Sequence, residues 1–150
     1  MYTQKVLEHF RNPHNFGSMK NPTAVGQVGN LACGDVMKLY LKIAKNQKGE
    51  DYIQDIKFET LGCAAAIATS SVVTDLAKNK TLTDALKIKN EDIVKALDDL
   101  PVVKIHCSLL AADALTEAIY EFYQKTHQPI SPVLEKLHQR IIVCQTRLNH

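Results

Sequence analysis

The chain has 150 residues, of which 45% are hydrophobic and 23% are charged, an ordinary composition for a globular protein. A chain of this length buries roughly 70% of its unfolded surface, so one compact core is expected. The formal net charge of +2 comes from basic and acidic side chains scattered along the sequence, which argues against nucleic acid and membrane surfaces as partners. No run of about 18 apolar residues predicts a spanning or secretory segment, so we expect a soluble, cytoplasmic protein.

The first 30 residues predict a short helix, a turn-rich segment and a weak strand. Residues 4–10 form an amphipathic stretch that ends before Asn12-Pro13. Asparagine, proline and glycine residues then predict turns up to Pro22. A weak strand is expected from Ala24 to Asn30, leading into the loop that contains Cys33.

Two further segments alternate between apolar and polar residues, as half-buried strands do. The apolar members of the first segment are Met37, Leu39, Leu41 and Ile43. Polar turn residues separate it from the second segment, Tyr52 to Thr60, in which Ile56 and Phe58 share one face. The pattern predicts a small antiparallel sheet of about three strands.

Helical spacing replaces the alternation after Gly62. Small and apolar residues recur at helical intervals from Ala64 to Lys78, which places Cys63 at a strand-to-helix junction. Thr81 to Asp84 resembles a capping box and predicts a short helix that extends to about Ile88. Asn90 is expected to cap a further helix that begins at Glu91-Asp92.

Two amphipathic helices are predicted in the remainder of the chain. The first follows a break at Pro101, has His106 and Cys107 at its start, and has a buried stripe that includes Leu110, Ala114, Ile119 and Phe122. The second is capped by Ser131, starts with Pro132, and has an apolar stripe of Val133, Leu137, Ile141, Cys144 and Leu148. This stripe is expected to cover the chain's own core or to join two subunits, with Cys144 packed and Lys136 and Arg140 on a solvated face.

Three of the four cysteines lie in settings that suit metal or thiol chemistry. In a reducing cytosol, four cysteines argue against a disulfide framework. Cys63 and Cys107 fall at predicted helix N-termini, whose partial positive charge favours the thiolate form. Cys33 lies in a loop close to Asp35, so three thiolates with Asp35 or His106 form a ligand set for zinc or an iron–sulfur cluster. Spacing alone leaves the ordinary alternative open, because a single cysteine is most often a small buried side chain.

Four segments resemble the IscU/NifU N-terminal family of iron–sulfur cluster assembly scaffolds. They are Ala32-Cys33-Gly34-Asp35-Val36-Met37-Lys38-Leu39, Thr60-Leu61-Gly62-Cys63, Ala66-Ile67-Ala68-Thr69-Ser70-Ser71 and Leu100-Pro101-Val102-Val103-Lys104-Ile105-His106-Cys107-Ser108. The resemblance covers roughly residues 2–125 and implies an α+β fold, a small antiparallel sheet with helices packed on it. We therefore expect a scaffold domain at residues 1–126 and a helical extension at residues 127–150.

The resemblance also implies roles for individual residues. Cys33, Cys63 and Cys107 match the three cysteines that accept sulfur from a cysteine desulfurase and hold a transient [2Fe-2S] cluster. Asp35 and His106 match the neighbouring oxygen and nitrogen ligands, and Lys104 matches a basic residue at the mouth of the site. Such a protein is a scaffold and carrier, not an enzyme.

The implied partners are a cysteine desulfurase, iron and electron donors, and apo acceptor proteins. Outside the resemblance, a homodimer is expected if the C-terminal stripe joins two subunits. The segment of Leu100, Pro101, Val102, Val103 and Lys104 matches the one that Hsp70/J-type chaperones recognise, although Val102 stands where the family usually has proline. A zinc-binding sulfur acceptor of the same superfamily is the alternative function, and zinc is also expected to bind the cluster-free scaffold. The retained His106 and the short interval between Cys63 and Cys107 favour the scaffold.

Overall fold

A three-stranded antiparallel sheet lies at the centre of the part of the chain that the structure describes. The computed structural model describes residues 1–30 and 35–148, with side chains for residues 1–29 and 36–143. The strands, in sheet order, are β1 (Ala24–Asn30), β2 (Asp35–Lys45) and β3 (Asp51–Leu61). The helices are α1 (Gln4–Arg11), α2 (Ala64–Ala77), α3 (Leu82–Ala85), α4 (Asn90–Ala96), α5 (Ile105–Lys125) and α6 (Pro132–Leu148). The α+β class and the predicted sheet are confirmed.

The pairing of β2 with β3 contains an irregularity that decides which side chains enter the core. Lys42 pairs with Asp55, whereas Ile43 pairs with Ile53, so one residue of β3 is left over between them. A β-bulge of this kind reverses the alternation of side chains along a strand. Ile53 is therefore fully buried on the same side as Ile56, although simple alternation would place the two on opposite faces.

Helices α2 and α5 cover the sheet and form the core with it. α5 packs on β1 and β2, and α2 packs on β3 and α5. Gly26 on β1 lies so close to α5 that an added Cβ would be 2.3 Å from the carbonyl oxygen of Ala114 and 2.5 Å from the amide nitrogen of Ala118. The strand and the helix backbone thus meet at a position that only glycine allows. None of the helices within the described ranges is long and apolar enough to cross a membrane.

The structure corrects one predicted helix cap and confirms another. The Thr81 side chain accepts a hydrogen bond from the Asp84 amide at 3.2 Å, as the capping box predicts, but α3 ends at Ala85 rather than near Ile88. The prediction that Asn90 caps α4 is wrong, because Asn90 is the first residue inside that helix and Lys89 precedes it. The Asp92 carboxylate reaches back to accept the Lys89 amide at 2.9 Å, which satisfies that donor without an asparagine cap.

The C-terminal helix packs on α5 through a face that differs from the predicted one. Ser131 Oγ accepts a hydrogen bond from the Leu134 amide at 3.1 Å, which confirms the predicted cap. Leu134 and Ile141 are 2% and 1% exposed, whereas Val133 is 70% exposed, so Val133 does not pack on the core of its own chain. The true face also includes His138, whose ring stacks on Tyr120 at 3.6 Å between centroids. Residues seven apart share a helix face, and the register of that face is set by the contact with α5.

Candidate metal and sulfur site

Cys63 occupies the N-cap position of α2. β3 ends at Leu61 and α2 begins at Ala64, so the chain turns from strand to helix at Cys63, whose backbone is extended. The first turn of a helix has backbone N–H groups without partners inside the helix and a partial positive charge. The half-buried Cys63 side chain therefore lies at a position that stabilises an anion.

Cys107 and His106 lie in the first turn of α5. A 3₁₀ turn, Val102–Lys104, follows Pro101 and leads directly into the helix at Ile105. Cys107 is 1% exposed, whereas the His106 side chain is half-buried. The start of α5 thus presents a buried thiol and a more accessible imidazole next to each other.

The two helix starts bring the side chains of three predicted site residues together. The Sγ atoms of Cys63 and Cys107 are 4.0 Å apart, although the residues are separated by 44 positions in sequence. Nε2 of His106 lies 3.6 Å from Sγ of Cys107. A disulfide requires about 2.05 Å between sulfur atoms, so this is a pair of neighbouring thiols rather than a bridge. The arrangement offers two soft sulfur ligands and one nitrogen ligand at a single location.

Lys104 adds positive charge to the same location. The charge of Cys63, with smaller contributions from Tyr2 and Cys107, raises the pKa of the Lys104 amino group above its usual value. A raised pKa keeps the ammonium group protonated at neutral pH. The Lys104 ammonium group and two helix N-termini therefore place positive charge around the sulfur atoms.

Cys33 and Asp35 are the two remaining predicted ligands. Cys33 and the side chain of Asp35 lie outside the described residues, as does the side chain of Cys144. The backbone of Asp35 begins β2 and pairs with Asn30, and the next residue, Val36, pairs with Leu61. The start of β2 is therefore adjacent to the strand end that leads into Cys63.

The predicted chaperone-binding segment lies directly before Lys104 and is partly exposed. Leu100 is 4% exposed and anchors the segment in the core, with the half-buried Pro101 next to it. Val102 and Val103 are 89% and 75% exposed, respectively. Two apolar side chains thus project into solvent beside the thiols.

A second group of potential metal ligands was not predicted. His9, His14 and Asp75 each contribute a donor atom, and these atoms lie within 4.8 Å of one another. The three residues come from α1, the segment after it, and α2. Their sequence spacing indicates no common site, because only the packing of α1 on α2 brings them together.

The fold and the site define a class of protein: a small α+β domain with two neighbouring thiols and an imidazole at the start of two helices. The chain belongs to the family of NifU-like N-terminal domains, whose model matches residues 1–129. This confirms the resemblance found in the sequence motifs.

Two relatives and one solved structure illustrate the similarity. The chain is 51% identical over 125 residues to "Iron-sulfur cluster assembly scaffold protein IscU 1" of Archaeoglobus fulgidus, covering 83% of this chain and 78% of that protein. It is 48% identical over 127 residues to the IscU scaffold protein of Escherichia coli, covering 83% and 95%. The crystal structure of a Brucella abortus NifU-like N-terminal protein matches with a TM-score of 0.65, 23% identity and coverage of 82% and 94%, which supports the fold. The names of the two relatives favour the scaffold over the zinc-binding sulfur acceptor.

Proposed function

We propose that this chain is a scaffold on which an iron–sulfur cluster is assembled and from which it passes to acceptor proteins. The observation that carries the proposal is the 4.0 Å separation of the Cys63 and Cys107 sulfur atoms at two helix N-termini. It is supported by sequence identities of 51% and 48% to two proteins named as cluster assembly scaffolds. The cluster is the cargo of such a protein, so the chain acts as a carrier and not as an enzyme.

The spacing of the donor atoms suits ligation of one ion. Two thiolates bound to a tetrahedral ion at about 2.3 Å lie about 3.8 Å apart, and a thiolate and an imidazole lie about 3.6 Å apart. The corresponding separations here are 4.0 Å and 3.6 Å. We therefore assign Cys63, Cys107 and His106 to the ligands of the cluster.

Cys33 and Asp35 complete the proposed ligand set. The backbone of Asp35 begins β2, and the next residue, Val36, pairs with Leu61 at the end of β3, which supports a place for Asp35 near Cys63. Three thiolates around a [2Fe-2S] core leave a net negative charge that Lys104 and the helix N-termini stabilise. A carboxylate bonds iron less strongly than a fourth thiolate, so Asp35 is proposed to keep the cluster exchangeable.

Sulfur delivery is proposed to use the same cysteines. A scaffold thiolate attacks the outer sulfur of a desulfurase persulfide, the S–S bond breaks, and the desulfurase thiolate leaves. Cys63 is more exposed than Cys107, which favours it as the acceptor among these two. Each transferred sulfur must then gain two electrons to become sulfide, so an electron donor is required alongside a cysteine desulfurase and an iron source. Zinc is proposed to occupy the same thiols when no cluster is present.

The exposed apolar pair beside the thiols supports a role in cluster release. Val102 and Val103 are proposed to bind an Hsp70/J-type chaperone before the cluster passes to an apo acceptor protein. Residues 1–126 are proposed as the scaffold domain and residues 127–150 as its extension. The family match over residues 1–129 supports this proposal.

Anaerobic reconstitution tests the proposed function. The full chain, incubated with ferrous iron, cysteine and a cysteine desulfurase, is expected to acquire a coloured species with the absorption and Mössbauer spectra of a [2Fe-2S] cluster. Alanine substitution of Cys33, Cys63 or Cys107 is expected to abolish it, because each substitution removes a proposed ligand. Iron and acid-labile sulfide per chain are measured in parallel.

Cys144→Ala is the matched control, since it also removes one thiol and is expected to load normally. Cluster content in the Cys33, Cys63 and Cys107 variants equal to that of the unmodified chain would contradict the proposed ligand set. Tightly bound zinc with persulfide transfer but no cluster would instead support the sulfur acceptor.

A further inference from the structure

A cluster of two histidines and a carboxylate lies where α1 packs on α2. Nδ1 of His14 is 2.5 Å from Oδ2 of Asp75, and the rings of His9 and His14 are 4.6 Å apart between centroids. One donor atom from each of the three residues lies within 4.8 Å of the other two. The ligands of a single small ion are separated by about 3 to 4 Å, so small side-chain movements bring this set into bonding geometry.

Neighbouring polar groups hold these side chains in place. The buried Ser71 hydroxyl is 2.7 Å from Nδ1 of His9 and accepts the backbone N–H of His14 at 2.8 Å. Nδ2 of Asn15 lies 3.4 Å from Oδ1 of Asp75. Histidine ligands in metal sites commonly bond a protein oxygen through the ring nitrogen that does not bind the metal, and carboxylate ligands are themselves hydrogen-bonded.

We propose that His9, His14 and Asp75 form a second metal site, which binds one divalent transition-metal ion with water completing the coordination. Two imidazoles and one carboxylate are ligands typical of zinc, ferrous iron and cobalt, whereas calcium and magnesium prefer sites made of oxygen alone. The ion would replace the proton shared between His14 and Asp75.

The proposed site is separate from the thiols. Cys63 caps the start of α2 and Asp75 lies near its end, so about 18 Å of helix separates them at 1.5 Å per residue. The two sites also differ in chemistry, because one offers thiolates and the other offers none. An ion at the second site therefore leaves the cluster ligands unoccupied.

Anaerobic titration of the full chain with Co²⁺ tests this inference. We expect two classes of bound cobalt, of which only the thiol-bound class has sulfur-to-metal charge-transfer absorption. The Co²⁺ affinity of the class without this absorption is expected to fall about 10-fold or more in Asp75→Asn and in His14→Gln. Mutation of residues that only support metal ligands already lowers affinity by about 10- to 100-fold, and these substitutions remove proposed ligands. Paramagnetic broadening of amide NMR signals is expected around residues 9, 14 and 75 as well as around residues 63 and 107.

His138→Gln is the matched control. His138 is also bonded to a carboxylate, with its Nδ1 2.6 Å from Oε2 of Glu117, but belongs to no group of three ligands among the described residues. The inference is overturned if Asp75→Asn and His14→Gln bind Co²⁺ as the unmodified chain does, if His138→Gln loses the same class, or if broadening is confined to the thiols. Because the readout of the second class does not involve sulfur, it stands or falls independently of cluster assembly.

Discussion

Asp113 on α5 shows how burial and an ion pair act on one carboxylate in opposite directions. Its Oδ1 atom is 3.2 Å from Nη2 of Arg140 on α6, and only 20% of its side chain is exposed. Burial raises the pKa of Asp113, and the nearby Arg140 only partly offsets this effect. The prediction that Arg140 lies on a simply solvated face therefore misses a contact between two helices.

Replacement of Asp113 by asparagine is expected to raise the melting temperature slightly at neutral pH. A raised pKa means that the folded state holds the proton more tightly than the unfolded chain, so the ionised carboxylate costs stability above its folded pKa. Below the usual value of 3.8 both states are protonated and the cost disappears. The gain of Asp113→Asn over the unmodified chain should therefore shrink as the pH falls towards 4, measured by thermal unfolding across the pH range.

Asp98→Asn is the control for this measurement, because that exposed carboxylate lies 3.8 Å from Lys5 on the surface. It is expected to change stability little at any pH. A clear loss of stability in Asp113→Asn at neutral pH would show that the Arg140 ion pair outweighs burial.

At the scale of elements, α6 is joined to the rest of the chain by its packing on α5. Leu134 and Ile141 are buried there, and His138 lies between Tyr120, on which it stacks, and Glu117, to which it is bonded. These contacts lie within one chain, which favours packing of the C-terminal extension on its own domain over packing on a second subunit.

Leu134→Ala is expected to destabilise the protein by about 2 to 5 kcal/mol, because it removes a buried side chain and leaves a cavity. Val133→Ala, at the neighbouring and 70% exposed position, is expected to change stability by less than about 0.5 kcal/mol. Urea unfolding at several protein concentrations measures both effects. A midpoint for the unmodified chain that rises with concentration, or equal effects of the two substitutions, would indicate that α6 packs on another subunit.

At the scale of the whole molecule, the continuous apolar core predicts a fold that does not depend on a bound ion. The core joins the sheet to α2, α4 and α5 through a continuous set of buried apolar side chains, including Leu39, Phe58, Val73, Ile93 and Leu115. A domain held together by structural zinc has much less apolar core and unfolds when the metal is removed. Cys107 belongs to this core and the half-buried Cys63 packs against it, so the proposed cluster would bind beside packing that is already complete.

Removal of metal by a strong chelator is therefore expected to leave the far-ultraviolet circular dichroism unchanged. The unfolding midpoint is expected to fall only by the amount that the bound ion contributes through its affinity. Both are measured before and after chelation and after dialysis to remove the chelator. Loss of helical signal on chelation would instead identify a structural metal site.

Much of the fold could be predicted because local patterns decide it. The alternation around Leu39 and the helical spacing of α5 identify the buried faces of these elements. Thr81 and Ser131 cap their helices as expected. The errors arise where two local solutions compete. At the start of α4, the Asp92 carboxylate accepts the Lys89 backbone N–H, and Asn90 is not the cap. In β3, a bulge places Ile53 in the core, although simple alternation would expose it.

The sequence by itself determined the strands, the main helices and the family, because periodicity, capping residues and motifs are properties of short segments. Only the tertiary structure decided that Cys63 and Cys107 meet at 4.0 Å, that Gly26 touches α5, and that His9 and His14 join Asp75. The physical reason is that such distances depend on how helices and strands pack across long stretches of chain. A pattern specifies which face of an element is buried, and packing specifies what that face meets.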